Sequence, residues 1–553
     1  MDAALAHQQA GRLPEAEAMY RRVLAQEPRN LAANYNLALV LRSLGRRDEA
    51  LACLARVAAL QPDNAQAQYG FAHVLREEDR LEEAAAAFRR ALALQPDFAE
   101  ARWSLAMCVL PRVYGPGEDP VRARQAFARE LAALESWFEE RPALDATGAV
   151  GVVQPFNLAY QETNNRELLA RYGALCSRLM ARHHAQPLPA RRARDGVVRV
   201  GVVSAHFRNH SVWNALTRGW FEHLDRARFA LHAFHLGTLR DAETDVARAR
   251  AASFEEGERS PQQWADTIRR HAPDVLLYPE LGMETLAWKL ASLRLAPVQA
   301  TTWGHPETSG LPTMDCYLSA AGLEPAGAQE HYTERLVTLP HLGCHVEARA
   351  TAAAAPDLAR WGIEQDVPLL LCPGVPYKYA PEHDAALVEI ARRLGRCRLV
   401  FFAYGAQGPV ERLQRRLEAA FASAGVDFAA HVSFLPWQPA AQFQGWLERA
   451  DVFLDTIGFS GFNTALQAIQ RALPIVTVEG RFLRGRMASG VLRRMGLDDL
   501  VARSAQEYVE RAVRLVDDRA YRDDLRRRMR EGRERLFGNL APIRALEEFL
   551  LAG

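Results

Sequence analysis

The chain reads as an α-helical repeat array followed by an α/β half built on two parallel sheets. Three observations predict this. Pro28, Pro62 and Pro96 stand 34 residues apart. Past about residue 196 the rhythm changes to short apolar runs alternating with longer amphipathic stretches. Those runs fall into two sets. At 553 residues the chain is also too long for one hydrophobic core, so two to four domains are expected.

Each of the three prolines closes a near-copy of one pattern: PEAEAMYRRVLAQEP, DEALACLARVAALQP and EEAAAAFRRALALQP. Small residues match in register (Ala16, Ala50, Ala84), and a large one follows four later (Tyr20, Leu54, Phe88). The turn between paired helices falls at Gly11, Gly45 and Asp79. A 34-residue helix–turn–helix with small residues where helices touch resembles the tetratricopeptide repeat. Two such helices cannot bury their apolar faces alone, so the units must stack. Arrays of this kind hold peptides or partner proteins, and this part therefore implies recognition. Beyond Ala99 the repeat decays. A further helix, AEARWSLAMCVL, runs into Pro111, and PRVYGPGEDP reads as a loop. Helical periodicity returns from about Val121 to Glu140 and from Arg166 to His183, and PLPARRARDG reads as a linker.

The first set of apolar runs is VVRVGVVS (197–204), RFALHAFHL (228–236), DVLLYPEL (274–281) and APVQATTWG (296–304). The second is VPLLLCPG (367–374), RLVFFAYG (398–405), HVSFLP (431–436), DVFLDTIG (451–458) and PIVTVEG (474–480). Runs without polar alternation, each followed by a helix, predict strands covered on both faces of a parallel sheet. A gap near 345–366 separates two Rossmann-like domains expected to face each other over a cleft. The expected division is 1–110 repeats, 111–195 helical connector and linker, 196–350 first Rossmann-like domain and 351–553 second. Ligands of such sheets bind beyond the carboxyl ends of the strands, which directs the search to the loops there.

Bulk properties narrow the function. Sixty-eight basic residues nearly balance 67 acidic ones, which removes the electrostatic case for a dedicated nucleic-acid binder. No apolar run is long enough to span a bilayer, and no signal-peptide pattern opens the chain. The seven cysteines (53, 108, 176, 316, 344, 372 and 397) are scattered and form no CxxC pair, so buried thiols in a reducing compartment are expected. A soluble cytoplasmic protein follows as the expectation.

Among the strand-end loops, DTIGFSGFNTALQAIQRALP (455–474) is the most informative. A strand ends near Thr456, a turn follows, and a helix begins near Asn463. Unpaired N–H groups at a helix N-terminus favour an anion such as a diphosphate. Ser460, Asn463 and Thr464 can add donors, and Gly461 allows close backbone approach. An ordinary capped helix is the alternative. Arg481, Arg484 and Arg486 follow the next strand, where one guanidinium could face the same anion. Lys378, in CPGVPYKYAPE, could neutralise a leaving diphosphate, although a lone loop lysine is commonly surface. In the first set, His206 and His210 follow the first strand as base, hydroxyl ligand or plain packing residues. Glu280, Trp303, His305 and Glu307 occupy further strand-end loops and suit a sugar or acceptor pocket, or a core edge. No DxD-type acid pair or HExxH calls for a metal. No GxGxxG or GxxxxGK[ST] supports a dinucleotide oxidoreductase or a P-loop kinase.

Together these residues resemble the O-GlcNAc transferase family, tetratricopeptide repeats joined to a two-domain GT-B glycosyltransferase, with SPINDLY and bacterial relatives. VRVGVVSAHFRNH is similar to the family's strand-and-histidine opening and places its active-site histidine on His210. LRLAPVQATTWGHPETSGLPTMD is similar to "RPAPIQ…GYPGTSG…MD", the most specific match. PYKYAP carries the diphosphate-binding lysine onto Lys378. ADVFLDTIGFSGFNTALQAIQRALPIVTVEG follows the phosphate loop and places donor contacts on Gly461, Asn463 and Thr464. Departures exist: the family's His-Thr-Thr reads Phe462-Asn463-Thr464, and the acid that holds the donor ribose reads Gln467. HVSFLPWQPAAQ lacks the basic residue found near the nucleobase in animal enzymes, and YPELGM and GHPETS lean toward bacterial adhesin N-glycosyltransferases. The resemblance implies inverting, metal-independent transfer of GlcNAc or another hexose from a nucleotide sugar, UDP-linked as a rule, with no cofactor. The repeats would lead an acceptor polypeptide to the cleft. A glycan or small-molecule acceptor, or a repeat scaffold with an inactive transferase half, are the competing readings.

Overall fold

The structure is a computed structural model that describes residues 1–184, 187, 196–348, 351–405 and 407–552. Residues 188–195, most of the stretch expected as a linker, lie outside the described residues. The chain divides into two compact units.

One unit comprises Met1–Arg112, Val121–Val153 and Gly405–Arg412. Its helices run Asp2–Gln9, Leu13–Gln26, Leu31–Ser43, Arg47–Leu60, Ala65–Glu77 and Leu81–Leu94, the antiparallel pairs that the 34-residue spacing predicts. Ala16, Ala50 and Ala84 are wholly buried, because only a methyl fits where paired helices touch. The turns at Gly11 and Gly45 have φ of 72° and 77°, where glycine is favoured, and Asp79 holds the same left-handed turn at φ 60°. Its carboxylate accepts a hydrogen bond from the Arg112 amide at 3.0 Å, which offsets part of that strain. Asn30 and Asn64, two residues after the repeat prolines, cap the next helices through Ala33 and through Gln66 and Ala67.

The other unit comprises Val113–Pro120, Gln154–Tyr404 and Leu413–Gly553. Its first sheet is built from β1 (Val198–Ser204), β2 (Phe229–His235), β3 (Ser253–Glu255), β4 (Val275–Tyr278), β5 (Val298–Thr302), β6 (Cys316–Ala320) and β7 (Arg335–Leu339). The second is built from β8 (Leu369–Cys372), β9 (Arg398–Ala403), β10 (Val432–Pro436), β11 (Val452–Leu454), β12 (Ile475–Val478) and β13 (Val501–Ala502). Every pairing is parallel, in the orders β3-β2-β1-β4-β5-β6-β7 and β10-β9-β8-β11-β12-β13. All nine expected strands are present. β3, β6, β7 and β13 are additional, and three of these lie at sheet edges, where exposure permits polar residues and removes the apolar signal.

Topology decides where ligands fit. Strands are added on one side of β1 and then on the other, and the same reversal occurs at β8. Adjacent loops therefore diverge and open a crevice between β1 and β4 and another between β8 and β11. After the second sheet the chain returns to the first. Ile543, Leu546 and Leu550 of helix Ala541–Ala552 join the core formed by β1, β2 and β4. All seven cysteines are buried and unbridged. Among the described residues, no helix is long and apolar enough to cross a membrane.

Candidate active site

At the β8/β11 crevice, one buried carboxylate organises the loop. Asp455 accepts hydrogen bonds from Ser460 Oγ at 2.6 Å, Thr477 Oγ1 at 2.7 Å and the Gly461 amide at 2.8 Å. Burial raises its pKa, and these bonds oppose the rise. The Ser460 hydroxyl also accepts from the Ala488 amide at 2.8 Å, so it frames the loop from both sides. A Cβ on Gly461 would lie 2.5 Å from Thr464 Oγ1, so any larger residue would push the Thr464 hydroxyl aside. Helix Asn463–Gln470 then starts without a side-chain cap; Asn463 and Thr464 form its first turn, and half-buried Gln467 follows one turn on. Lys378, beyond β8, reaches the same loop. Its Nζ donates to the Ser460 carbonyl at 3.3 Å and lies 4.6 Å from the centre of the Phe459 ring. Desolvation pulls this ammonium down to about 8 while Asp455 works against the fall.

The three arginines beyond β12 are engaged by the protein itself. The Arg481 amide and guanidinium both bond Glu162. Arg484, buried, donates to the Gln161 and Thr163 carbonyls at 2.9 and 2.6 Å and lies 3.4 Å from Glu307. Arg486, expected to face the donor, pairs with Glu479 at 2.5 Å and donates to the Leu323 carbonyl at 2.9 Å.

The β1/β4 crevice gathers groups that burial makes neutral. His206 and His210 stack with ring centres 3.9 Å apart. Desolvation first, and neighbouring cations second, pull them down to about 3 and about 4. The Val212 amide donates to His210 Nδ1 at 3.3 Å, which leaves the proton of the neutral ring on Nε2. Glu280, fully buried beyond β4, accepts from Ser204 Oγ at 2.7 Å and from the Ala205 amide at 3.1 Å. Burial raises it to about 8, so it carries its proton near neutrality. Beyond β5, His305 stacks on Phe156 at 4.6 Å, and burial pulls it down to about 3. A Cβ on Gly282 (φ +103°) would lie 2.9 Å from this imidazole. Trp303 is buried edge-to-face on Phe462 at 4.9 Å, so it joins the loops of the two sheets, in keeping with the core-edge alternative.

Two features escaped the sequence reading. The segment 156–165 straps the loops of both sheets together. Phe156 stacks on His305, and Tyr160 packs on Tyr377 at 4.9 Å and Phe459 at 4.8 Å. Asn165 donates to Glu307 at 2.7 Å. Nothing in NLAYQETNN signals these contacts, which are all long-range. The second is an aromatic pair at the ends of β9 and β10. Tyr404 and Trp437 lie 4.8 Å apart and are 43% and 61% exposed. An exposed tryptophan in HVSFLPWQP was visible in the chain and could have been singled out.

Residues 156–347 and 377–540, well over half of the chain, match the model of glycosyl transferase family 41. The chain belongs to that family. The family 41 match opens at Phe156, the start of the strap, and resumes at 377 beside Lys378. It includes the loops beyond β1, β4, β5 and β11 and, beyond β8, Lys378. Tetratricopeptide-repeat models match residues 7–71 and 69–136. A probable UDP-N-acetylglucosamine–peptide N-acetylglucosaminyltransferase SPINDLY of Solanum lycopersicum is 27% identical over 275 residues, covering 48% of this chain and 28% of the relative. A UDP-glucose:protein N-beta-glucosyltransferase of Actinobacillus pleuropneumoniae is 26% identical over 262 residues, covering 46% and 40%. The matched stretches thus span less than half of either relative. A solved structure of a mutant O-GlcNAc transferase from Thermobaculum terrenum superposes with a TM-score of 0.72 at 24% identity, covering 99% of this chain and 95% of that one. This likeness shows the fold, with the two-sheet GT-B arrangement following the repeats along the chain.

Proposed function

We propose that this family 41 chain is an inverting glycosyltransferase that moves a sugar from a nucleoside-diphosphate donor to a protein side chain, with no metal in the reaction. The observation that carries this reading is the pair of facing crevices. One presents a cation and an uncapped helix N-terminus, and the other presents neutral hydrogen-bonding groups.

In this reading the donor diphosphate lies on the first-turn amides of Asn463 and Thr464, with Gly461 allowing close approach and Lys378 beside it. Gln467 hydrogen-bonds a ribose hydroxyl, and the exposed Trp437–Tyr404 pair stacks the nucleobase. The acceptor hydroxyl or amide attacks the anomeric carbon from the opposite face and releases its proton to solvent. As that bond forms, the carbon–oxygen bond to the diphosphate breaks, and Lys378 and the helix stabilise the charge that departs with it. His210, protonated on Nε2 by the tautomer that Val212 imposes, donates a hydrogen bond and positions a reactant. Glu280 in its neutral form and His305 line the sugar and acceptor side. The repeat array leads an acceptor polypeptide to the cleft, and the chain works in the cytoplasm.

A panel of UDP- and GDP-sugars, offered with protein from a lysate of its own source, tests this. Nucleoside diphosphate release and protein labelling from one donor, both lost in Lys378→Ala, are expected. Transfer to a free glycan alone would give the glycan-acceptor reading. Nucleotide binding without any turnover would give the scaffold reading.

A further inference from the structure

Away from the strand-end crevices, two imidazoles and a carboxylate meet where the chain passes between the two sheets. His223 ends helix Arg218–His223 beside the first sheet. His345 and Glu347 lie just past β7, on the stretch that leads to β8. One ligand atom from each of the three lies within 4.8 Å of the others, and His345 Nε2 is 3.8 Å from Glu347 Oε1. The two rings are 4.3 Å apart at 70°. His345 is only 5% exposed, and its Nδ1 lies 3.1 Å from the Asn539 carbonyl on the returning crossing. A carbonyl can only accept, so Nδ1 holds the proton and Nε2 presents its lone pair. That Nε2 and the Nε2 of His223 are buried with no hydrogen-bond partner. Leaving two such nitrogens empty-handed is costly unless something binds them. The pocket is also shaped: a Cβ on Gly219 would lie 2.9 Å from His345 Cβ, and the Gly538 amide donates to the Val346 carbonyl at 2.9 Å, holding the two crossings together.

We propose that His223, His345 and Glu347 bind one divalent transition cation of the zinc class. Two nitrogen donors and one carboxylate suit such an ion, with water completing a tetrahedron. An imidazole oriented by Nδ1–H to a backbone carbonyl is the support that metal-bound histidines receive. The cation ties the helix beside the first sheet to the outgoing crossing, which itself bonds the returning one. Flanking charge is limited: Arg544 is paired with Glu547 at 2.5 Å. None of the three ligands belongs to the transfer site, so the proposal stands whether or not the transferase reading does.

The test uses the full-length chain stripped with a chelator, with Zn2+ added in equilibrium dialysis and Co2+ as an absorbing probe. One Zn2+ per chain, a visible Co2+ d–d spectrum and a rise in Tm with Zn2+ are expected. His223→Ala and Glu347→Ala should each weaken binding at least about tenfold and abolish the Tm rise, while His210→Ala leaves both unchanged. Glu347 is half exposed, so its variant keeps the fold. Equal Zn2+ affinity in wild type and both ligand variants, or loss of binding in His210→Ala instead, would overturn the site.

Discussion

At the β1/β4 crevice burial discharges side chains, whereas at β8/β11 a charge is retained. His206, His210 and His305 are held far below the usual histidine range and Glu280 far above the carboxylate range, each chiefly by desolvation. Lys378 is desolvated too, yet at about 8 it remains mostly protonated near neutrality, with Asp455 behind the Ser460 loop opposing its loss of charge. Two sheets with the same parallel topology thus offer a polar neutral wall and a cationic one. The first suits hydroxyls and amides, and the second suits phosphate. The difference arises from what stands beside each crevice, since an acid supports the cation on one side, whereas on the other Arg208 and Arg484 add to the desolvation of His210 and His305.

The sharpest way to break this contrast is to remove its one charge. Lys378→Ala should lower kcat by about 10²–10³-fold, the scale of deleting a preorganised group at a developing anion, with donor and acceptor KM changed much less. The wild type should lose kcat/KM as pH rises through about 8, where free-enzyme Lys378 deprotonates, and Lys378→Arg should carry its residual activity to higher pH. Unchanged turnover in Lys378→Ala would remove the charged wall from the mechanism.

Trp437→Ala comes next. Loss of a stacking face costs about 1–3 kcal/mol, which should raise donor KM roughly 5- to 100-fold with kcat preserved. Equal donor KM in variant and wild type would place the nucleobase elsewhere. On the neutral wall, His210→Ala should cost about five- to tenfold in kcat/KM, as expected for one neutral hydrogen bond, and His210→Gln should recover part of it by supplying a donor. Full inactivation of both variants would show that the ring does more than donate.

The remaining effect is on stability and not on turnover. Glu280 has a folded pKa of about 8 against 4.5 for the free acid, so between those values the folded state binds more protons than the unfolded one. Its contribution is therefore fully present below about pH 4.5 and is lost as pH rises toward 8. Glu280→Gln, which needs no proton, should melt higher than wild type at pH 8 by an amount equivalent to roughly 1–4 kcal/mol, and near wild type at pH 5. Equal melting of the two proteins at pH 8 would show Glu280 to be already ionised at no cost.

Much of the architecture was legible in the chain because it rests on local periodicity. Proline spacing and buried alanines mark the repeats, and a residue at Asp79 kept the left-handed turn that Gly11 and Gly45 announce. Most interior strands showed themselves because burial on both faces favours a continuous apolar run, although β6, interior and buried throughout, did not. Nor did β7, since its edge exposure lets Arg335 and Thr338 interrupt the run. Strand-end loops could be named because parallel topology fixes where ligands bind. How each side chain is used inside those loops was beyond periodicity. Arg486 is drawn to Glu479 and Ser460 is held between Asp455 and Ala488, partners that only the folded loop brings close.

By itself, then, the sequence determined the helical array, the two parallel sheets and the loops worth searching, because each follows from patterns a few residues long. Tertiary structure alone decided that 156–165 straps both sheets' loops, that Phe462 closes on Trp303, that one crevice is neutral and the other charged, and that His223 meets His345 and Glu347. Those outcomes depend on burial and on distances between residues far apart in the chain, and neither is encoded in any local run.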